Sequence, residues 1–132
     1  MLVLSEITFW NNAMAVLKID HVQVAIPWGK VAEALSFYVG VLQFSRIAKP
    51  AELDQRGAWL TQGPVNLHLG EEKEFEASRR AHPALLVDNI DELLENVKRS
   101  AHPLRVDTGP TGYKRASVFD PFGNRIELMQ KL

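Results

Sequence analysis

The stretch Arg115-Ala-Ser-Val-Phe-Asp120-Pro-Phe-Gly-Asn-Arg-Ile-Glu127-Leu-Met-Gln130 reads as two strands joined by a tight turn. Asp120-Pro121-Phe122-Gly123 supplies a proline with φ already set and a glycine free to take φ > 0. Beyond the turn, Ile126 and Leu128 share one strand face and Arg125, Glu127 and Met129 the other. Glu127 therefore sits mid-strand among apolar residues, where a carboxylate is costly unless it is paired or bound to a cation.

Working back from this hairpin, the chain shows one programme twice. His21-Val-Gln-Val-Ala-Ile26 alternates, with Val22, Val24 and Ile26 on one face and His21, Gln23 and Ala25 on the other. Pro27-Trp28-Gly29 breaks the strand. A helix follows, because Val31, Ala34, Leu35 and Tyr38 recur at helical spacing, with Gly40 expected at its C-terminal cap. Short strands are expected near Phe44–Ala48, Ala58–Thr61 and Val65–Leu69. Glu71 to Arg80 reads as a loop, and its Glu71-Glu72-Lys73-Glu74 run as a solvated face. Then a strand opens at His82. A helix carries Ile90, Leu93, Leu94 and Val97, with Asn89 and Glu92 at the spacing of a capping box and Lys98-Arg99 suiting its C-terminus. A strand near Leu104–Val106 and the closing hairpin complete the second round.

The chain thus holds two βαβββ units, about 19–70 and 82–130, in a single 132-residue domain. The offsets support the repeat: 47 positions separate His21 from His68, and 45 separate His82 from Glu127. Each unit begins and ends on a metal-ligand-type residue. Residues 1–17 read as an arm packing on the domain or on a neighbouring subunit.

Composition bounds the function. With no cysteine, disulfide frameworks, thiolate zinc sites and cysteine nucleophiles are all excluded. A formal charge of −1 without a basic block argues against a nucleic-acid partner. No apolar run approaches the roughly 20 residues that span a bilayer, and the N-terminus makes a poor signal peptide. The expectation is a soluble, cytoplasmic protein.

Four residues stand out: His21, His68, His82 and Glu127. If the units pair about a pseudo-twofold axis, their polar faces converge in one cleft. Three imidazoles and a carboxylate there suit Fe(II), Mn, Ni, Co or Zn. Two other readings stay open: a metal-free protein holding an aromatic or cationic compound between walls such as Trp28, Trp59 and Phe75, or an internal polar network in which Glu127 pairs with arginine. His102, before Pro103, is assigned to structure.

At these residues the chain resembles the vicinal oxygen chelate superfamily, which includes glyoxalase I, extradiol dioxygenases, fosfomycin-resistance enzymes and bleomycin-resistance proteins. The resemblance rests on His21-Val-Gln-Val, the helix end Phe37-Tyr-Val-Gly-Val-Leu-Gln-Phe44, the His82 strand and Asp120-Pro-Phe-Gly-Asn-Arg-Ile-Glu-Leu128. It implies an α+β fold in which paired βαβββ modules form a cup-shaped, partly open mixed sheet with helices outside, usually in a homodimer. It also implies a divalent metal on His21, His68, His82 and Glu127, chelating vicinal oxygens of a small substrate for lyase, isomerase or dioxygenase chemistry. His68 is either a ligand or a general base, and Glu127 counts with it as catalytic. Glyoxalase I itself carries Glu or Gln at the His68 position and has glutathione-contacting regions for which this chain has no clear room. Trp59, Phe75, Arg79, Tyr113 and Arg115 are placed as substrate contacts by position and chemistry. The drug-binding members are the alternative, as metal-free small-molecule binders.

Overall fold

The computed structural model describes residues 15–132. Most of the expected arm, 1–14, lies outside them, and the few arm residues described run as exposed chain without regular structure. The elements are β1 (Val22–Pro27), α1 (Val31–Tyr38), β2 (Ser45–Ile47), β3 (Ala58–Gln62) and β4 (Val65–Glu72), then β5 (Ala84–Leu86), α2 (Ile90–Arg99), β6 (Leu104–Asp107), β7 (Tyr113–Phe119) and β8 (Arg125–Lys131). They form two open four-stranded sheets of identical topology, β1-β4-β3-β2 and β5-β8-β7-β6. In each, the first strand pairs in parallel with the last, and the remaining pairs are antiparallel. Among the described residues, β1 and β5 are therefore edge strands, hydrogen-bonded on one side only.

Alternation decides which sheet face is covered. Val24, Ile26, Leu60, Leu67 and Leu69 of the first sheet are buried against Ala34, Phe37 and Tyr38 of α1, and Val118, Ile126 and Leu128 of the second join Ile90, Leu94 and Val97 of α2. All belong to one continuous core. The opposite faces, with His68 and Glu127, stay open.

Three contacts tie the two units together. The Tyr38 hydroxyl donates to Asp120 Oδ2 at 2.8 Å, the Asn124 side-chain amide donates to the Ala25 carbonyl at 2.8 Å, and Phe37 packs edge-on against His102 at 4.9 Å between ring centres. The structural assignment of His102 agrees with that contact. At the closing turn Gly123 takes φ +90°, and Asp120 Oδ1 accepts the N–H groups of Phe122 and Asn124, both at 2.9 Å.

Three expectations need correction. Gly40 does not adopt a left-handed conformation; the helix is capped by Val39, and Gln43 takes the positive φ of 68°. The second unit's first strand begins at Ala84, not His82, because Pro83 has no N–H for the ladder; its carbonyl instead accepts Glu127 N–H at 3.0 Å. Glu71 does not lie on a solvated face. β4 runs on to Glu72, and the Glu71 side chain is only 5% exposed, its carboxylate accepting from Gly29 N–H, Gly57 N–H and Arg56.

Candidate functional site

Parallel pairing sets the geometry of both half-sites. Gln23 lies opposite His68 in the β1/β4 register, and Ala84 lies opposite Glu127 in the β5/β8 register. His21 stands two residues before Gln23, and His82 two residues before Ala84. Each unit therefore puts a histidine just ahead of its first strand, diagonal to the closing residue of its last. Side chains at diagonal positions on one face are within reach of each other.

In the first unit, His21 stacks on His68 with ring centres 3.9 Å apart, and Trp59 stacks on His68's other face at 4.3 Å. Trp59 is opposite His68 in the β3/β4 register, which explains the contact. The three rings, with Asp20 and Gln23, line a hollow of about 580 Å³. His21 Nδ1–H donates to Asp20 Oδ2 at 2.9 Å, which leaves Nε2 as its basic nitrogen. Burial and the neighbouring His21 hold the His68 imidazole below its ordinary pKa. It is therefore neutral at pH 7, with a lone pair able to take a metal or a proton.

In the second unit, His82 Nδ1–H donates to the Arg80 carbonyl at 2.6 Å, while Nε2 faces Glu127 Oε1 at 3.2 Å. A carbonyl only accepts, so Nδ1 carries a proton, and Nε2 is the ring nitrogen set against the carboxylate oxygen. Such a contact is favourable only with a cation between the two groups or a second proton on the ring. Glu127 also accepts from Arg125 Nη2 at 3.3 Å and is ion-paired with Arg115 Nη1 at 3.2 Å. The ion pair with arginine that the sequence left open as a rival reading is thus present.

Among the described residues, no three metal-ligating side chains gather in one place within the chain. The fold brings His21 to His68 and His82 to Glu127, but does not join the pairs. His82 lines a different cleft, about 690 Å³, running between β1/β4 and the start of β5. Of the expected substrate contacts, Trp59 lies in the first half-site and Arg115 in the second. Tyr113 starts β7 at the far end from the turn. Phe75 packs edge-on against Phe122 near the closing turn, and Arg79 is exposed in the linker. Trp28 is covered by Arg56, 3.7 Å above its ring, and by Lys73.

Sequence reasoning missed Asp20, Ser117 and Asp107. Ser117 lies opposite Glu127 in the β7/β8 register, accepts from Arg125 Nε at 2.9 Å and donates to Asp107 Oδ2 at 2.7 Å. Its parity with Glu127 across the hairpin was the available signal. For Asp20 the signal was its place next to a ligand-type histidine at a strand start.

The half-sites lie on the two copies of a duplicated βαβββ unit. The chain belongs to the Glyoxalase/Bleomycin resistance protein/Dioxygenase superfamily, whose model matches residues 18–128. It is similar to a protein from Bacillus anthracis assigned to the glyoxalase family, at 39% identity and a TM-score of 0.85, covering 91% of this chain and 99% of that one. The fold also matches the antibiotic binding protein TnmS3 from a Streptomyces species (19% identity, TM-score 0.71, 91% and 100% of the two chains). A third match is the fosfomycin resistance protein FosX from Listeria monocytogenes (12% identity, TM-score 0.71, 89% and 95%). No curated protein matches the sequence. No helix among the described residues is long and apolar enough to cross a membrane.

Proposed function

We propose that the protein is a divalent-metal enzyme acting on a small substrate with vicinal oxygens, its centre completed when two copies of the chain pair. The observation that carries this reading is the shared register. His21 relates to His68 as His82 relates to Glu127, in two sheets of one topology. A local twofold relation between one copy's first unit and the other's second sets the two pairs face to face. His21 and His68 of one copy would then hold the metal with His82 and Glu127 of the other.

The donor chemistry fits a metal. Both strand-leading histidines have Nδ1 engaged by an oxygen acceptor, which fixes the tautomer and leaves Nε2 to coordinate. The Nε2–carboxylate approach at His82 and Glu127 is one that a cation relieves. When bound, the metal supplies Lewis acidity, stabilising negative charge that develops on the substrate's oxygens. The chain's own residues do the rest. Trp59 and the histidine stack wall the substrate and exclude water, Arg115 and Arg125 orient Glu127, and neutral His68 either completes the ligand set or takes a proton from the substrate. Lyase, isomerase and dioxygenase chemistry all use such a centre. The absence of cysteine suits a reducing compartment, and we place the protein in the cytoplasm.

Metal content tests this reading. Untagged protein should carry about one equivalent of divalent metal per chain, or take it up on reconstitution. Glu127→Ala should lose it, with binding weakened by about 10-fold or more. Failure of the wild-type protein to bind Fe(II), Ni, Mn, Co or Zn would overturn the assignment.

A further inference from the structure

Arg115 and Arg125 hold more hydrogen-bonding capacity than Glu127 uses. A guanidinium carries five N–H donors in a planar fork. Arg115 spends two on the carbonyls of Thr108 and Gly109 and faces Glu127 through Nη1 as an ion pair. Arg125 spends one on Glu127 and one on Ser117. The remaining donors have no partner among the described residues. Both side chains are partly buried, 19% and 24% exposed, and their unpartnered donors reach the surface of the open face, where an incoming ligand can meet them.

Charge points the same way. Arg105, Arg115 and Arg125 meet only Asp107 and Glu127, which leaves this open face with one cation in excess. Arg105 is already committed to Asp107 at 2.7 Å and to Ser117 at 3.3 Å. The surplus therefore falls on the pair around Glu127. Binding a divalent cation at Glu127 would enlarge it. A partly buried positive surplus with unfilled planar donors is a recognition element for an oxyanion. The two backbone carbonyls also restrain Arg115, so less side-chain freedom is lost on binding.

We propose that Arg115 and Arg125 form an oxyanion subsite beside Glu127, so that the substrate carries a carboxylate, phosphate or phosphonate group close to its vicinal oxygens. This rests on the metal-centre reading for where the rest of the substrate lies. The oxyanion contact itself stands without the metal.

The test is calorimetric titration of the full chain, Mn²⁺-loaded and metal-free in parallel. The probes are oxalate, its neutral isostere oxamide, and inorganic phosphate. Oxalate should bind the Mn²⁺-loaded protein at least about tenfold more tightly than oxamide, and phosphate should compete with it. Arg115→Gln, titrated at saturating Mn²⁺ with its own Mn²⁺ affinity measured separately, should weaken oxalate by about tenfold or more. Arg115→Lys, which keeps the charge and loses the fork, should fall between the two and serves if the glutamine variant folds poorly. Equal oxalate affinity in wild type and both Arg115 variants, or equal binding of oxalate and oxamide, would overturn the subsite and leave the metal centre standing. If the wild type takes up neither Mn²⁺ nor Fe(II), Ni, Co or Zn, the metal reading fails by itself. Phosphate binding to the metal-free protein then decides the subsite: binding weakened in the Arg115 variants supports it, and no binding refutes it.

Discussion

At the scale of single residues, Glu71 shows what a local sequence window misses. The run Glu71-Glu72-Lys73-Glu74 looks like a solvated face. Yet Glu71 is held by an N–H 42 positions away and another 14 positions away, and no neighbour in sequence announces either. The Gly29 N–H above all, then the Gly57 N–H and Arg56, hold its carboxyl below the usual carboxylate range. A carboxyl with a depressed folded pKa lends stability that is fully present above its unfolded value, near 4.5, and is lost as pH falls through the folded one. Glu71→Gln should therefore cost on the order of 1–2 kcal/mol at neutral pH, and its denaturant midpoint should approach that of wild type as the pH falls through the lowered folded pKa. A gap of the same size across that range would show that the charge contributes nothing. His21, His68 and Glu127, in contrast, were legible singly, because strand parity alone sends them to the face opposite the apolar row.

At the scale of elements, periodicity located both helices and most strands, since burial against a single core imposes the apolar rows that sequence displays. Asn89 caps α2 as its spacing predicts: its side chain accepts Glu92 N–H at 3.3 Å and its amide donates to the Glu92 carboxylate at 3.1 Å. The closing turn was equally readable, but its long-range role was not. Asp120 is buried at 3% exposure and accepts the Tyr38 hydroxyl across 82 positions, fastening α1 to the second unit. Burial and the Asp120 carboxylate push the Tyr38 phenol far above its ordinary pKa, so it remains a donor throughout the physiological range. Tyr38→Phe should lower unfolding free energy by about 1–2 kcal/mol, because the other donors to Asp120 remain. Asp120→Ala, which orphans all of them, should cost more, about 3 kcal/mol or above. Equilibrium denaturation ranks the two, and a smaller loss in the aspartate variant would contradict this account of the turn.

At the scale of the whole molecule, the matched offsets of the four ligand-type residues revealed the repeat, but offsets do not say which copies of the chain supply which half. The cross-copy arrangement can be tested by complementation. A chain with His21→Ala and His68→Ala, mixed with one carrying His82→Ala and Glu127→Ala and allowed to re-pair at random, should regain about a quarter of wild-type metal binding, because half the dimers are mixed and each has one intact centre. Sites built within single chains would regain none. The edge strands carry a further consequence, for handling rather than for chemistry. The outer edges β2 and β6 are short and bear Arg46 and Arg105, charges that discourage strand addition. The edge at β5 has no such guard: it reads Ala-Leu-Leu, and Leu86 is 73% exposed. A chain whose β5 edge is uncovered presents that bare ribbon to every other such chain it meets. Freshly refolded preparations should therefore precipitate more readily as their concentration is raised, and a single Leu86→Lys change should keep them clear.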